Sequence, residues 1–304
     1  MKPLSVLGLV CAVLWPTQHP NPPSVTFWDA TESSGIRFRH WKGASGRHYL
    51  VETFAGGVIV FDYDGDGLPD VYFVNGGRLP GFAGPEPRNA LYRNRGDGTF
   101  VDVTEEAGVP GKGYCNGGVA ADHDNDGDID LYVTVFGPNI FYRNNGDGTF
   151  TDSTAKAGLG DARWSTSATF FDFDKDPFLD LFVCNYTDFN LDNHKLCTVV
   201  HKEIKGYCHP DEYNGTADLL YRNEGNETFD DVSRVAGVEN PAEGKGLGVV
   251  AMDYDEDGRT DLYVANDNTR NFLYRNEGDG RLTDLGFEAG VGFSEDGLAE
   301  SGMG

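Results

Sequence analysis

The sequence FDYDGDGLPD at residues 61–70 recurs three more times along the chain, and its aspartates decide the fold. The other copies read ADHDNDGDID at 121–130, FDFDKDPFLD at 171–180 and MDYDEDGRTD at 252–261. Each copy places aspartate at positions 1, 3, 5 and 9, where position 1 of the first copy is Asp62. Four carboxylates within nine residues repel one another unless a cation lies among them, and oxygen donors on a flexible loop suit Ca²⁺. We therefore predict four calcium loops, called loops 1 to 4 in chain order.

The predicted ligands of each loop are the side chains at positions 1, 3, 5 and 9 and the backbone carbonyl at position 7. They are Asp62, Asp64, Asp66, Leu68 and Asp70 in loop 1, Asp122, Asp124, Asp126, Asp128 and Asp130 in loop 2, Asp172, Asp174, Asp176, Phe178 and Asp180 in loop 3, and Asp253, Asp255, Asp257, Arg259 and Asp261 in loop 4. An EF-hand begins with the same spacing, but it needs a glutamate at position 12, where these loops have Phe or Val. Solvated turns are the alternative interpretation of the aspartates. Four matching sets at fixed spacing argue against it.

Two residues distinguish individual loops. Position 6 is glycine in loops 1, 2 and 4 but Pro177 in loop 3, and proline cannot take the positive φ that a sharp turn there would need. We expect three to four bound calcium ions, with weaker or altered binding at Asp172–Asp180. His123 stands at position 2 of loop 2, where the other loops have aromatic residues, and we interpret it as a packing residue and not a ligand.

A second motif follows each loop, and the two together form a repeat. It reads LYRNRGDGTFVDVTEEAGV at 91–109, FYRNNGDGTFTDSTAKAGL at 141–159, LYRNEGNETFDDVSRVAGV at 220–238 and LYRNEGDGRLTDLGFEAGV at 273–291. The first aspartates of successive loops are 60, 50 and 81 residues apart. A period near 50 with several short strands is typical of propeller blades. We predict an all-β fold, a β-propeller of four-stranded blades with about four complete repeats, at 56–109, 117–159, 166–238 and 246–291, plus a partial one.

Within the first repeat the pattern predicts strands over Val58–Asp62, Val71–Val74, Ala90–Asn94 and Phe100–Thr104, joined by the loop and by a Gly-Asp-Gly turn. Helical content should be low.

Arg95-Gly96-Asp97 spells the cell-adhesion tripeptide RGD, which we interpret as an accident of the repeated RNxGDGTF turn.

The ends of the chain carry partial repeats and a leader. Residues 27–37 match only the second half of a unit, and ESGMG at 300–304 matches KGLGV at 245–249, which leads into loop 4. We therefore expect a propeller domain over 25–304 that is a piece of a longer protein.

Residues 1–23 combine one lysine, an apolar run and a Pro-rich end, as in a secretory signal peptide. Export agrees with calcium binding, since weak calcium sites fill outside the cytosol, so we expect the protein to be secreted, extracellular or periplasmic, or at the cell surface.

An insertion at 185–217 interrupts the period in the third repeat. It contains two cysteines and three histidines: Cys197, Cys208, His194, His201 and His209. In an exported protein a Cys197–Cys208 disulfide is the favoured interpretation, and a zinc site is the alternative. Spacing cannot decide whether Cys115 and Cys184 pair or stay free.

Charge and motifs exclude several classes of function. The net charge of −25 argues against nucleic acid and anionic membrane surfaces as partners, and no segment predicts membrane insertion. The sequence has no G-x-S-x-G elbow, no H-E-x-x-H and no phosphate-binding glycine loop. We therefore do not expect an enzyme.

The signatures DxDxDGxxD and LYRNxGDGTFxDVTxxAG resemble the FG-GAP/VCBS-type repeats of the cartilage acidic protein family. Further matches are FWDATESSGIRFRH at 27–40, the NYTDFN insertion and GKGLGVVAMDYDEDG at 244–258, so the resemblance covers about residues 25–304. It implies a fold similar to the integrin α-subunit propeller, with seven blades and calcium loops in several of them. By that standard this propeller is incomplete, and the C-terminal ASPIC/UnbV domain of the family is missing from the sequence.

These observations predict a secreted, Ca²⁺-stabilised β-propeller that acts as a binding or adhesion scaffold for protein or glycan partners on its blade loops. The alternative is the non-catalytic propeller module of a secreted hydrolase or lyase whose catalytic part lies beyond Gly304. A calcium buffer is a third interpretation, which leaves the strand repeats without a purpose.

Overall fold

The computed structural model describes residues 26–54, 56–199, 204–238 and 243–302. The predicted signal peptide at 1–23 lies outside these residues, as do His201 and the last two residues of the partial repeat at 300–304. Four antiparallel sheets of four strands each, and a fifth of two strands, make up most of the regular structure. The predicted all-β fold of four-stranded blades is therefore confirmed, and the blades form an incomplete propeller. None of the helices in the described ranges is long and apolar enough to cross a lipid bilayer.

Sheets 1 and 2 each run through their strands in chain order. After a 3₁₀ turn at Leu50–Thr53, sheet 1 consists of β1 (Gly57–Phe61), β2 (Asp70–Val74), β3 (Ala90–Asn94) and β4 (Phe100–Asp102), with the single-turn helix α1 (Thr104–Ala107) behind it. Sheet 2 consists of β5 (Tyr114–Ala121), β6 (Asp130–Phe136), β7 (Ile140–Asn144) and β8 (Phe150–Asp152), followed by α2 (Thr154–Ala157).

Sheet 3 contains the insertion between its second and third strands. Its elements are β9 (Ser165–Phe171), β10 (Asp180–Asn185), the inserted hairpin β11 (Cys197–Val199) and β12 (Ile204–Gly206), a 3₁₀ turn (Pro210–Glu212), then β13 (Leu219–Asn223), β14 (Phe229–Asp231) and α3 (Ser233–Ala236). Sheet 4 consists of β15 (Gly246–Met252), β16 (Asp261–Asn266), β17 (Phe272–Asn276) and β18 (Leu282–Asp284).

The fourth strand of sheet 1 is shorter than predicted. In sheet 1 it ends at Asp102, because the Asp102 carboxylate accepts hydrogen bonds from the backbone N–H and the hydroxyl of Thr104, at 3.1 and 2.6 Å. These bonds turn the chain into α1, which ends at Gly108 in the left-handed conformation, with φ of 78°. The prediction that this strand reaches Thr104 was therefore wrong by two residues.

The core lies between the sheets. One buried cluster joins sheets 1 and 2, a second joins sheets 2 and 3, and a third joins sheets 3 and 4. The first strands of neighbouring sheets contact one another, from β1 to β5 to β9 to β15. Ile59 and Phe61 show the alternation that makes this possible, since both are buried against sheet 2 while Val58 and Val60 are exposed. Each side chain of this size stabilises the stack by about 1.5–3 kcal/mol when fully buried.

Within residues 27–37 the turn of a repeat is present beside sheet 1, but residues 26–30 before it form no strand. Asp29 accepts a hydrogen bond from the Thr31 N–H at 2.9 Å, as Asp102 does from Thr104. Gly35 has a φ of 80°, and a Cβ there would lie 2.8 Å from the carbonyl oxygen of Phe100. Gly108 takes the equivalent place beside sheet 2.

A buried acid stands where the other repeats have an amide. The second strand of each sheet ends with a backbone N–H that donates to a side chain just before the third strand, and that side chain is Asn89, Asn139 and Asn271 in sheets 1, 2 and 4. In sheet 3 it is Asp218, which accepts from the Asn185 N–H at 2.8 Å. Asp218 is buried, and this burial raises its pKa to about 7.

Replacing Asp218 by asparagine should therefore stabilise the protein at neutral pH. An unfolded aspartate titrates near pH 3.9, so the ionised folded state loses stability as the pH rises from about 4 to about 7. Asp218→Asn keeps the carbonyl acceptor without the charge. We expect a gain of about 1–3 kcal/mol at pH 8, at about 2–4 °C in Tm per kcal/mol.

The measurement is the difference in Tm between variant and parent at pH 4.5, 6 and 8. The gain should grow with pH and level off above 7. Asn139→Asp is the matched control and should lose stability over the same range. A gain that is the same at every pH would show that Asp218 does not titrate as stated.

Candidate metal centres

All four predicted loops lie at one edge of the blades. Each loop joins the first strand of its sheet to the second, and the turn between the third and fourth strands lies beside it because neighbouring strands are antiparallel. We call this edge the loop face. The opposite edge, which we call the insertion face, carries the connections between second and third strands, including the insertion at 185–217.

Carboxylate oxygens converge in every loop. In loops 1 and 2 the side chains at positions 1, 3 and 5 offer oxygens that all lie within 4.8 Å of one another. In loops 3 and 4 the convergent set is positions 1, 3 and 9. These four groups are Asp62, Asp64 and Asp66, then Asp122, Asp124 and Asp126, then Asp172, Asp174 and Asp180, then Asp253, Asp255 and Asp261, and a fifth group in loop 2 consists of His123, Asp124 and Asp130. The structure thus brings together three members of each predicted ligand set.

The backbone conformation of the loops explains why glycine occurs at position 6. Position 4 has a positive φ in all four loops, and position 6 has one in loops 1, 2 and 4, with Gly67 at 84°. The N–H of Gly67 donates to Asp62 Oδ2 at 2.8 Å, and loops 2 and 4 repeat this bond at 3.1 and 2.8 Å. Position 6 therefore needs both a left-handed conformation and an N–H.

Loop 3 lacks both properties at Pro177. Proline has no N–H, and the Asp172 carboxylate instead accepts from the backbone N–H of Lys175 at 2.6 Å. The carbonyl oxygen of Pro177 accepts a hydrogen bond from the side-chain amide of Asn125 in loop 2. The predicted departure of loop 3 is present in its hydrogen bonding, and its effect on affinity stays a prediction.

The position 7 residues hold each loop against the neighbouring hairpin. Their backbone N–H groups donate to the position 5 carboxylates at 2.7–3.0 Å. Their side chains lie beside the first glycine of the turn, as Leu68 does beside Gly96 and Phe178 beside Gly225. The role of the position 7 carbonyl as a ligand stays a prediction.

The position 9 aspartates are the buried members of the loops, at most 2% exposed. Asp70 accepts from the N–H of Tyr63 at 3.1 Å and from the N–H of Asn94 at 2.7 Å. The aspartates of loops 3 and 4 accept from the equivalent groups. Each carboxylate oxygen still has lone pairs, so these bonds fix the carboxylate without preventing it from binding a cation.

Loop 2 differs at position 2. His123 is 1% exposed and its ring packs against Phe141 and Phe229, so the predicted packing role is confirmed. That His123 is not a ligand stays a prediction, since its ring lies in one group with oxygens of Asp124 and Asp130. Its Nδ1 atom also forms a hydrogen bond with Asp130 Oδ2, which the sequence did not indicate. This ring takes the place of the position 2 backbone N–H that serves the other loops.

Burial and the neighbouring carboxylates disfavour the ionised form of these aspartates. Burial raises the pKa of the position 9 aspartates, to about 7 for Asp180, and it raises the pKa of Asp64 and Asp174 with help from neighbouring carboxylates. Arg143 lies 3.4 and 3.0 Å from carboxylate oxygens of Asp124 and Asp126, which offsets only part of the charge of loop 2.

Two carboxylate oxygens of the loops are buried without a partner. Asp64 Oδ1 and Asp122 Oδ1 have no hydrogen-bond partner among the described residues. Buried polar atoms of this kind cost about 1–3 kcal/mol each unless something satisfies them. An all-oxygen donor set with unsatisfied, clustered negative charge fits a hard divalent cation.

The sequence analysis missed the asparagine that ends each third strand. Asn94, Asn144, Asn223 and Asn276 donate a backbone N–H to the position 9 aspartate of their own sheet. Their side-chain amides donate to the carbonyl at position 8, as Asn94 does to Pro69 at 3.0 Å. The sequence feature that could have indicated these asparagines is the Arg-Asn pair that ends all four third strands.

The structure also describes the other residues that the sequence singled out, which are the cysteines and the RGD sequence. Cys197 and Cys208 form a disulfide, so that prediction is confirmed, and within the described ranges no residue of the insertion belongs to a metal-binding group. Cys115 and Cys184 are free and buried.

Asp97 of the RGD sequence accepts hydrogen bonds from the N–H and the hydroxyl of Thr99, as the equivalent residue does in the next hairpin. Its role there is that of a turn residue.

Comparison with known proteins identifies the repeats. The family model described as FG-GAP-like repeat matches residues 62–133, 122–183, 206–264 and 253–297, and these matches include all four loops. No curated protein matches the chain.

One solved structure that the chain resembles belongs to work titled as the specific recognition of non-reducing terminal N-acetylglucosamine by an Agrocybe aegerita lectin. It shares 17% identity with a TM-score of 0.38, over 74% of this chain and 50% of that one. The chain thus spans about half the length of the lectin structure. Similarity at this level carries no argument about a ligand.

Loop 3 should bind Ca²⁺ more weakly than the other loops, because position 6 cannot donate to the position 1 carboxylate. One hydrogen bond contributes about 1 kcal/mol, so Pro177→Gly should raise the affinity of loop 3 about fivefold. Calorimetric titration with the position 3 aspartates of the other loops changed to asparagine would measure loop 3 alone. Gly258→Pro in loop 4 is the reciprocal control. Equal affinity in all four loops would contradict the prediction.

Proposed function

Because this chain belongs to the family of FG-GAP-like repeat proteins, we propose that it is an exported, calcium-stabilised β-propeller that serves as a binding or adhesion scaffold for a protein or glycan partner. The observation that carries this proposal is the convergence of three carboxylate oxygens in every loop, from positions 1 and 3 in all four and from position 5 or position 9 as the third. Within the FG-GAP repeats, the motifs at 27–40 and in the insertion favour the cartilage acidic protein family.

Calcium is the cation that the loops favour. The convergent donors are carboxylates on loops with left-handed residues at positions 4 and 6, or at position 4 alone in loop 3, and an all-oxygen set on such loops suits the high and flexible coordination of Ca²⁺. When bound, Ca²⁺ would neutralise the clustered charge and satisfy oxygens such as Asp64 Oδ1. The chain's own part is to hold the position 9 carboxylate by two hydrogen bonds, as at Asp70, and to bring positions 1 and 3 together in every loop.

The insertion face is the better place for a partner. The loop face repeats nearly the same sequence in every blade, whereas the insertion face carries the segments that do not repeat. Residues 38–54 and the insertion are joined there, because the Tyr207 hydroxyl donates to Glu52 at 2.9 Å and the Tyr49 ring lies 4.6 Å from that of His194. Variable segments fixed on a rigid scaffold are the common arrangement for recognition.

A cavity on this face offers the chemistry that a glycan or peptide would use. It has a volume of about 360 Å³ and is lined by Phe54, Tyr186, Tyr207 and Asp267 among others. Tyr186 donates to Asp267 Oδ2 at 2.5 Å, and no donor among the described residues contacts the other carboxylate oxygen. Aromatic surfaces with a few fixed polar groups are typical of ligand sites.

Export is supported by two features. The N-terminal segment has the composition of a signal peptide. The Cys197–Cys208 disulfide closes the insertion, and disulfides persist mainly in oxidising compartments.

Millimolar Ca²⁺ should raise the Tm of the protein by several degrees. Extracellular calcium sites have Kd values of about 10⁻⁴–10⁻³ M, so each site adds about 0.4–1.4 kcal/mol at 1 mM. Thermal unfolding of protein treated with a chelator, then given Ca²⁺ or Mg²⁺, measures the shift. Asp64→Asn should remove about a quarter of it, and Asp97→Asn in the neighbouring hairpin is the control. No shift with Ca²⁺ would count heavily against the proposal.

Substitutions on the insertion face should abolish partner binding, while those on the loop face should leave it intact. We expect Tyr207→Ala and Asp267→Asn to remove binding to a glycan array or to purified extracellular matrix proteins. Asp97→Ala should retain it. Circular dichroism would confirm that each variant is folded. Binding that survives both insertion-face variants would place the partner elsewhere.

A further inference from the structure

Three asparagines connect loops 2, 3 and 4 to the loop of the preceding sheet. The side-chain amide of Asn144 donates to the carbonyl oxygen of Tyr63 at 2.8 Å, and Tyr63 is position 2 of loop 1. Asn223 donates to position 2 of loop 2 at 3.1 Å, and Asn276 donates to position 2 of loop 3 at 2.8 Å. All three asparagines are at most 2% exposed. These bonds cross from one blade to the next at the same place each time.

The same asparagines also hold their own loops. The backbone N–H of Asn144 donates to Asp130 Oδ1 at 2.8 Å, and its side-chain amide donates to the carbonyl of Ile129 at 3.1 Å. One side chain therefore fixes the buried carboxylate and the backbone of loop 2 while it contacts loop 1. Asn223 and Asn276 repeat this arrangement in loops 3 and 4.

The result is an unbroken hydrogen-bonded path between buried aspartates. Asp70 accepts from the N–H of Tyr63, the carbonyl of Tyr63 accepts from Asn144, and the N–H of Asn144 donates to Asp130. The path from Asp180 to Asp261 is the same. Between loops 2 and 3 it begins with the His123 ring instead of a backbone N–H.

We propose that Asn144, Asn223 and Asn276 couple the four loops, so that a cation bound in one loop raises the cation affinity of its neighbours. The inference rests on the proposed calcium binding of the loops. A cation that fixes the position 9 carboxylate also fixes the position 2 residue bonded to it, through the backbone N–H in loops 1, 3 and 4 and through the His123 ring in loop 2. The carbonyl of the same residue, which belongs to the following peptide group, is then held in place for the asparagine of the next sheet, so the neighbouring loop has less ordering left to complete when it binds.

Asn94 provides a matched control within the chain. It donates to Asp70 and to the carbonyl of Pro69, as the other asparagines do in their own loops. Within the described ranges its side chain contacts no carbonyl of another loop. Asn94→Ala therefore removes the bond within a loop and leaves coupling intact, whereas Asn144→Ala removes both. In either variant the backbone N–H still serves the position 9 aspartate.

The experiment is a double-mutant cycle read at individual loops by NMR. The amide of Gly67, which donates to Asp62, reports cation binding in loop 1. Asp124→Asn disables loop 2. In the parent we expect this change to raise the Ca²⁺ midpoint at Gly67 about fivefold, at the low end of typical coupling. In the Asn144→Ala background it should leave the midpoint unchanged, and in the Asn94→Ala background the fivefold effect should persist.

Each outcome decides one question. If Gly67 and Gly127 show no Ca²⁺ response in the parent, the proposed calcium function fails. If they respond but Asp124→Asn leaves the Gly67 midpoint unchanged in the parent, the coupling is refuted. The coupling also fails if Asn94→Ala abolishes the effect as fully as Asn144→Ala does.

A second pair of loops keeps the test open if Asn144→Ala does not fold. Asp174→Asn disables loop 3, the amide of Gly258 reports loop 4, and Asn276→Ala removes the connecting bond. We expect the same pattern, with a smaller change because loop 3 binds weakly. A midpoint at Gly258 that shifts equally with and without Asn276 would overturn the proposal.

Discussion

The hydrogen bond between the buried aspartate at position 9 of each loop and the asparagine that ends the third strand is the interaction on which the blades depend. It ties the loop that joins the first two strands to the hairpin that joins the last two, so the two parts of a sheet's loop face are bonded to each other. It also fixes the aspartate in a place where water cannot reach it, as at Asp70 and Asp261. The same bond that organises the blade therefore creates its electrostatic difficulty, since a carboxylate buried beside other carboxylates is costly unless a positive charge is near.

The fold could be predicted from the sequence because its information is local and repeated. Four copies of an acidic loop and four copies of LYRN define the period, and within a copy the turn residues and strand alternation define four strands. The disulfide followed from two cysteines on one inserted segment. The end of the fourth strand of sheet 1 did not follow, because side chains such as Asp102 and Thr104 decide there between strand and helical turn. The hydrophobic pattern of a sequence does not reveal such competition between side-chain hydrogen bonds and strand pairing.

What the sequence could not indicate are bonds between distant parts of the chain. Asn144 and Tyr63 are 81 residues apart, and the asparagine alone reads as a polar residue at the end of a strand. The His123 ring likewise gave no sign that it would bind Asp130, since an aromatic packing role explains its position equally well. Asp218 is conspicuous only when its repeat is aligned with the others and its burial is known. In each case the identity of the residue was visible, and the contact that gives it meaning came from the stacking of blades.

Loop 3 keeps the buried hydrogen bonds of the series although its turn differs. Pro177 lacks the N–H that holds the position 1 carboxylate in the other loops, and we therefore predict weaker binding of a divalent ion there. In the same loop, burial raises the pKa of Asp180 to about 7. A proton on Asp180 can therefore neutralise the buried position at pH values where an ordinary aspartate is ionised. The blade keeps its hydrogen bonds from Phe173 and Asn223 to Asp180 in either state, because a carboxylic acid still has oxygens that accept them. Loop 3 can thus remain a structural member of the series although proline stands where the other loops have glycine.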